Sequence, residues 1–186
     1  MYKIAQIGNP VLSNKAKALL PEGINLTEIQ TLIDNLIENL LEEDGVGIAA
    51  PQISVDKRII VINNQATKKS FRKTKIPLTV IINPEITSFS KALELDWEGC
   101  LSVANGNLLG LVPRYKKIKV SGLDRLGKKI TIYASSFKAR VIQHEIDHLN
   151  GILFVQKIRP QDLRLLANRR EWMKHYKNLW PKPRLL

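Results

Sequence analysis

The segment SSFKARVIQHEIDHLNG (135–151) predicts a helix with a defined beginning and a defined end. Ser135 or Ser136 can serve as the N-cap, because a serine hydroxyl accepts a hydrogen bond from the free N–H groups of a first helical turn. Asn150 and Gly151 form a typical C-terminal stop, since both residues tolerate the left-handed conformation that closes many helices. The segment therefore predicts a helix that begins near Ser135 or Ser136 and stops at Asn150–Gly151.

This helix carries HEIDH (144–148), the H-E-x-x-H arrangement of two metal ligands and a general base. His144 and His148 lie four positions apart and so share one helix face, where both imidazoles can bind a single metal ion. Glu145 follows the first histidine, and its carboxylate can act as a base without binding the ion. The alternative is an amphipathic helix with two exposed histidines, but the caps at both ends favour the metal site.

Upstream of this helix, the sequence predicts one further helix and several strands. Apolar residues recur at helical spacing between Thr27 and Asp44, with Thr27 and Gln30 at the spacing of a capping box and Gly45 as the stop. Short β-branched runs predict strands at 58–62 and 78–83.

Alternating residues at 118–122 and 130–132 predict a hairpin that turns at Asp124–Gly127. After the HEIDH helix, ILFV (152–155) predicts a strand, and residues 161 to about 179 predict a basic C-terminal helix. This order predicts an α+β fold, in which antiparallel or mixed sheets pack around the HEIDH helix, with an N-terminal and a C-terminal helix besides. The length of 186 residues predicts a single domain over 1–186.

Composition excludes several classes of protein. Hydrophobic residues make up 44% and charged residues 25% of the chain, as in globular rather than disordered proteins. No run approaches the roughly 18 apolar residues of a membrane span, and the first residues do not resemble a secretory signal. The single cysteine excludes an intrachain disulfide and fits a reducing compartment. A net charge of +12 favours polyanionic partners such as nucleic acid.

A catalytic metal site usually takes three protein ligands, so HEIDH needs one more. The third histidine, His175, lies in the basic C-terminal segment and is interpreted as a surface residue. The downstream acids Asp162 and Glu171 lack the spacing of zinc peptidases. Cys100 is the other candidate, although a lone cysteine is more often a small buried apolar residue.

Three segments together resemble the peptide deformylase family: GVGIAAPQ (45–52), EGCLS (98–102) and QHEIDH (143–148). The resemblance implies a metal-dependent hydrolase that removes the formyl group from the N-terminal formylmethionine of nascent polypeptides. It implies Cys100, His144 and His148 as ligands of one divalent ion, ferrous iron in the cell, for which zinc, nickel or cobalt can substitute. It implies Glu145 as the general base that later returns the proton to the departing amine.

The resemblance also implies the groups that bind the substrate. The Gln52 side-chain amide and the backbone N–H of Leu101 would stabilise the oxyanion. Backbone pairing with the peptide, and a pocket for the methionine side chain, are implied for Val46, Gly47, Ile48, Gly99 and Val141. The loop Ala104–Leu111 is longer than in many members of the family, and it lacks the arginine that those members place near the substrate. We expect this difference to alter substrate affinity and to leave the reaction itself unchanged.

Partners and location follow from the same resemblance. The expected partners are N-formylmethionyl nascent peptides and, through the basic segment from Lys157 to Arg184, the ribosome. The expected location is the bacterial cytoplasm or an organellar matrix, with no membrane association. Two alternatives are an HExxH zinc endopeptidase, which has no need of Cys100, and a basic nucleic-acid-binding protein with an incidental HExxH.

Overall fold

The computed structural model describes residues 2–64, 74–165 and 184–185, which contain two α-helices and nine β-strands. The helices are α1 (Thr27–Glu42) and α2 (Ser136–Leu149). The strands are β1 (Gly47–Ala49), β2 (Ile59–Asn64), β3 (Ile76–Phe89), β4 (Leu93–Gly99), β5 (Leu108–Tyr115), β6 (Lys117–Leu123), β7 (Lys129–Ser135), β8 (Leu163–Leu165) and β9 (Arg184–Leu185). The expected α+β class is confirmed.

The strands form two antiparallel sheets. A five-stranded sheet has the order β1-β2-β3-β6-β7, and a four-stranded sheet has the order β8-β5-β4-β9. β6 and β7 form the hairpin that the sequence predicts, and the Asp124 carboxylate accepts hydrogen bonds from the N–H groups of Leu126 and Lys128 in its turn. β1 is an edge strand, paired only with β2 among the described strands.

The five-stranded sheet lies between the two helices, so its central strands are apolar on both faces. In β2, Ile60 and Ile62 pack in the cluster that contains α2 residues, whereas Ile59 and Val61 pack in the cluster that contains α1 residues. Successive strand residues point to opposite faces, and a sheet covered on both faces therefore reads as a continuous apolar run. This packing fixes α2, and the HEIDH motif with it, against the sheet.

The N-terminal helix forms, but the predicted capping box is wrong. α1 begins at Thr27 with Leu26 as its N-cap, and no side chain caps it. The Gln30 amide instead donates to the carbonyl groups of Ile24 and Arg125, 2.9 and 2.8 Å away, because the β6–β7 turn packs beside the helix start. The helix ends at Glu42, since Asp44 already adopts a left-handed φ of +51°.

The predicted strand at 152–155 is wrong. Residues Phe154–Lys157 form a 3-10 helix, and the buried side chains of Leu153 and Phe154 pack in a third apolar cluster together with Cys100 and Val112. The apolar run is thus explained by side-chain burial in a turn. The predictions at 58–62 and 78–83 are confirmed, although β3 is longer than the apolar run that indicated it.

The start of the predicted C-terminal helix is also wrong. Residues Pro160–Asp162 form a 3-10 turn, and β8 follows at Leu163–Leu165, where the edge of β5 offers backbone hydrogen-bonding groups. The remainder of the predicted helix, with His175, lies outside the described residues. In the part of the chain that the structure describes, no helix has both the length and the apolar character needed to cross a membrane.

Gly151, just after the end of α2, should tolerate no larger residue. Gly151 has a φ of +71°, and a Cβ at this position would lie 2.5 Å from the Ser13 carbonyl oxygen. Gly151→Ala should therefore combine backbone strain with a clash against backbone, and should lower the free energy of unfolding by about 3 kcal/mol in urea denaturation.

Gly127→Ala is the matched control for this prediction. Gly127 has a φ of +81°, but the nearest atom to a Cβ there would be 3.7 Å away. Backbone strain alone should lower the free energy of unfolding of Gly127→Ala by about 1 kcal/mol. Equal losses for the two variants would show that the contact with Ser13 contributes nothing.

Candidate metal centre

Three potential ligand atoms meet where the end of β4 faces α2. The Cys100 sulfur and the imidazole nitrogens of His144 and His148 lie within 4.8 Å of one another. Cys100 Sγ lies 3.2 Å from His148 Nε2. Cys100 follows β4 directly, and the two histidines are one turn apart on α2, so the structure unites residues 44 positions apart in sequence.

The chemistry of this cluster fits a divalent metal ion. One thiolate and two imidazoles suit zinc, ferrous iron, cobalt or nickel, and three protein ligands leave a coordination position open. Glu145 Oε2 is buried and has no hydrogen-bond partner among the described residues. A buried carboxylate oxygen without a donor is costly, and a water molecule at the open position would supply the missing bond.

The Glu98 carboxylate orients the first histidine. His144 Nδ1 lies 2.9 Å from Glu98 Oε2, so this nitrogen carries the proton and Nε2 is left for an ion. Arg114 binds the same carboxylate through Nε and Nη2, both at 2.9 Å, and Arg140 Nη1 donates to it at 2.7 Å. All three charged side chains are buried.

The electrostatic environment keeps Glu98 ionised. Burial by itself would raise its pKa, but the charge and hydrogen bonds of Arg114, with the hydrogen bond from His144, hold the pKa of Glu98 well below its usual range. Burial, in contrast, opposes protonation of His144, yet Cys100 and Glu98 outweigh it and raise the pKa of His144. An anionic environment that attracts a proton to this ring attracts a metal cation in the same way.

The pKa of His148 is shifted in the opposite direction from that of His144. Burial, and then the positive charges of His144 and Arg114, lower the pKa of His148 well below its usual value. The ring is therefore neutral at ordinary pH. A neutral imidazole is the form that binds a metal ion.

The charged network extends beyond the centre through Asp147. Arg114 Nη1 also donates to Asp147 Oδ2, and Lys157 Nζ lies 2.7 Å from the same oxygen. Arg114 thus links Glu98 on β4 to Asp147 on α2. Sequence patterns do not predict roles for Arg114, Arg140 and Asp147. One sign is the arginine at position 140, which lies one turn before His144 in a helix whose neighbouring positions are apolar.

Glu145 lies against the backbone of β1. Burial raises the pKa of Glu145 to about 7, with His144 opposing and Glu98 adding to the shift. A carboxylate of this kind can accept and return a proton near neutral pH. A Cβ at Gly47 would lie 2.3 Å from Glu145 Oε1, so only glycine at position 47 leaves room for the carboxylate.

Gln52 is held beside the cysteine in one orientation. Its Oε1 accepts a hydrogen bond from the Ala49 N–H at 2.8 Å, while Nε2 lies 3.2 Å from Ser102 Oγ and 3.6 Å from Cys100 Sγ. The amide donor therefore faces the site. Leu101 follows Cys100 directly and is half-buried.

The residues expected to bind substrate lie on or beside β1, at the end of β4 and on α2. Val46 and Val141 pack in one apolar cluster with α2, and Gly99 is exposed at the end of β4. Gly47 and Ile48 belong to the edge strand β1, whose outer backbone groups can pair with an added strand. The loop that starts at Ala104 begins with a 3-10 turn, Ala104–Gly106, and continues into β5.

Comparison with known proteins agrees with this geometry. The model of the polypeptide deformylase family matches residues 1–164. Peptide deformylase from Halothermothrix orenii is 44% identical over 162 residues, which cover 85% of this chain and 94% of that protein. Peptide deformylase 1 from Bordetella pertussis is 40% identical, over 86% of this chain and 88% of that protein.

Solved structures give the same result. The actinonin-bound class I type b peptide deformylase from Acinetobacter baumannii superposes with a TM-score of 0.77 and 36% identity, over 86% of this chain and 99% of that chain. A peptide deformylase from Legionella pneumophila gives a TM-score of 0.75 at 35% identity, over 96% of each chain. By fold, by sequence and by the residues gathered at its metal centre, this chain belongs to the polypeptide deformylase family.

Proposed function

We propose that this chain removes the N-formyl group from the N-terminal formylmethionine of nascent polypeptides and releases formate. The observation that carries the proposal is the convergence of Cys100, His144 and His148 beside a buried carboxylate, in a chain of the deformylase family. A related structure from Acinetobacter baumannii is described as bound to Met-Ala-Ser, a peptide that begins with unformylated methionine.

The metal ligands in this proposal are Cys100 Sγ and the Nε2 atoms of His144 and His148. A divalent ion held by these three residues would lower the pKa of water and polarise the carbonyl group of the substrate. Ferrous iron is the proposed ion in the cell, with zinc, nickel or cobalt as substitutes, because mixed sulfur and imidazole donors accept all four.

Glu145 handles the proton in the proposed mechanism. Its carboxylate accepts a proton from the attacking water as the water oxygen bonds to the formyl carbon. Glu145 then delivers this proton to the amide nitrogen as the C–N bond breaks, so that formate and a free amine leave. Burial favours the role, since the carboxyl group holds a proton readily in this environment.

Gln52 and Leu101 are the proposed oxyanion donors. The Gln52 Nε2 amide and the Leu101 backbone N–H would donate to the formyl oxygen as negative charge develops on it. The bond from the Ala49 N–H to Gln52 Oε1 supports this assignment, because it sets the amide orientation before any substrate arrives.

Substrate recognition is proposed to combine backbone pairing with one side-chain pocket. Gly47, Ile48 and Gly99 would pair with the peptide backbone at the β1 edge, and Val46 and Val141 would contact the methionine side chain. Main-chain pairing accepts many downstream sequences, as an enzyme that processes most new proteins requires.

The alternatives account for less of the site. An HExxH endopeptidase leaves no role for Cys100, and a nucleic-acid-binding protein leaves the whole buried cluster without a purpose. We propose a single catalytic domain over 1–186 and a location in the bacterial cytoplasm or an organellar matrix. We further propose that the basic segment from Lys157 to Arg184, with nine lysines and arginines, contacts ribosomal RNA.

Removing the proposed base should stop the chemistry without emptying the metal site. Glu145→Gln should lower kcat/KM for formyl-Met-Ala-Ser by about 10²–10⁴ in a formate-release assay, because the amide cannot take up the proton. Metal content should stay unchanged. The exposed Glu42→Gln variant should retain full activity, and a Glu145→Gln enzyme as active as the parent would refute the mechanism.

Removing a ligand should empty the site. Cys100→Ala, His144→Ala and His148→Ala should each lower the metal content from about one ion per chain to nearly none, measured by mass spectrometry of the desalted protein. His175→Ala removes the same ring from the basic C-terminal segment and should leave the metal content unchanged. Full metal content in the Cys100 variant would contradict the assigned ligand set.

The ribosome contact is tested by charge removal rather than by truncation, because truncation would also delete β8 and β9. Replacing Arg169, Arg170, Lys174 and Lys177 by glutamine should reduce co-sedimentation with ribosomes and weaken its dependence on salt. Activity on a free formyl peptide should be unaffected.

A matched variant loses the same charge elsewhere. Lys91, Lys117, Lys128 and Lys129 are exposed in the structure, and their replacement by glutamine should leave co-sedimentation unchanged. Equal losses of co-sedimentation in the two variants would mean that the ribosome attracts the protein only by its general positive charge. Unchanged co-sedimentation of the C-terminal variant would exclude the proposed contact.

A further inference from the structure

Gln6 contacts the loop that follows the metal-binding cysteine, although no motif includes it. Its Nε2 donates to the Leu101 carbonyl oxygen at 2.9 Å, and its Oε1 accepts from the Asn105 N–H at 3.1 Å. Gln6 is half-buried. One side chain therefore joins the two ends of the loop Leu101–Asn105.

The bond to Leu101 controls a second hydrogen bond through one peptide plane. The Leu101 carbonyl and the Ser102 N–H belong to the same peptide unit, which is planar and trans, so they point in opposite directions. The Ser102 N–H donates to Cys100 Sγ at 3.4 Å. Gln6 holds the carbonyl on one side of the plane, and this keeps the N–H directed at the sulfur on the other side.

The backbone on either side of Gln6 is anchored to the same site. The Ala5 N–H donates to the Gln52 carbonyl at 2.8 Å, and the Ile7 N–H donates to the Ser102 carbonyl at 2.7 Å. Gln6 is therefore fixed relative to both segments of the metal centre.

The loop conformation needs such a support. Ala104, Asn105 and Gly106 have φ values of +49°, +50° and +78°, so three consecutive residues are left-handed. Alanine disfavours this region because its Cβ approaches the backbone oxygen. The Asn105 N–H finds its acceptor in Gln6 Oε1.

We propose that Gln6 is a positioning residue of the metal centre, which keeps the Ser102 N–H on the Cys100 sulfur through the Leu101–Ser102 peptide plane. The inference rests on the metal site proposed above. Hydrogen bonds to a ligand sulfur withdraw charge from it and orient it, and outer groups of this kind tune metal affinity. Gln6 thus acts on the ion without touching it.

The test uses the cobalt-loaded full chain, because a thiolate bound to Co²⁺ gives a sulfur-to-metal charge-transfer absorption. Gln6→Ala removes both bonds to the loop, together with a 3.5 Å bond from Gln6 Nε2 to the Ile4 carbonyl. Gln6→Glu, ionised at pH 8, keeps the size of the side chain and an acceptor for Asn105 but has no donor for the Leu101 carbonyl. Both variants should shift the charge-transfer band and release Co²⁺ to a chelator about tenfold faster than the parent.

Gln30→Ala is the matched control. The Gln30 side chain also joins two separate backbone segments, through the carbonyl groups of Ile24 and Arg125. It lies beside Ile24 and Ile29, which pack in an apolar cluster that contains none of the candidate metal ligands. This variant should keep the parent's band and release rate. Thermal unfolding followed by circular dichroism measures how far each variant is destabilised.

Two results would overturn the proposal. One is a Gln6→Glu variant with the band position and release rate of the parent. The other is an equal change in the Gln30 variant, which would indicate general loosening. A parent protein that shows the thiolate band but releases no formate would refute the proposed function and leave the role of Gln6 standing. A charge-transfer band that does not change in the Gln6 variants would refute the role of Gln6 and leave the proposed function standing.

Discussion

The buried carboxylate of Glu98 is the constraint on which the rest of the site depends. It accepts hydrogen bonds from Arg114 and Arg140 and from His144 Nδ1, and all of these groups are removed from most solvent. A buried charge is tolerated only when its partners surround it. Because Glu98 lies on β4, Arg114 on β5 and the histidines on α2, satisfying this one charge forces the four-stranded sheet and the central helix into one relative position.

That relative position is what makes the chemistry possible. α2 supplies two rings and a carboxylate at fixed spacing, and the end of β4 supplies the sulfur. The edge strand β1 packs its glycine backbone on Glu145, so the proposed base and the proposed peptide-binding edge are held against each other. A site of this kind is assembled before substrate arrives, and preorganised groups act on a transition state without the cost of rearrangement.

Sequence patterns predicted the elements whose causes are local. The helix around HEIDH and the β6–β7 hairpin formed as expected, because the Gly151 stop and the Asp124 turn act within a few residues. The predicted serine cap is wrong, since Ser135 is the N-cap but its side chain makes no capping hydrogen bond. The strand β4 was missed because acidic residues alternate in LELDWEG; Glu98 faces buried arginines that no local pattern reveals. The run 152–155 was misassigned because burial in a turn and burial in a strand need the same apolar residues. In the site, the spacing of His144 and His148 predicted two ligands, but Cys100 was assigned only through a family resemblance.

The most direct measurement is X-ray absorption spectroscopy of the zinc-loaded protein at the metal edge. The account predicts a first shell with one sulfur and two imidazole nitrogens, completed by a light atom from solvent. A first shell of nitrogen and oxygen alone, without sulfur, would contradict it, because Cys100 could then be no more than a buried residue beside the centre.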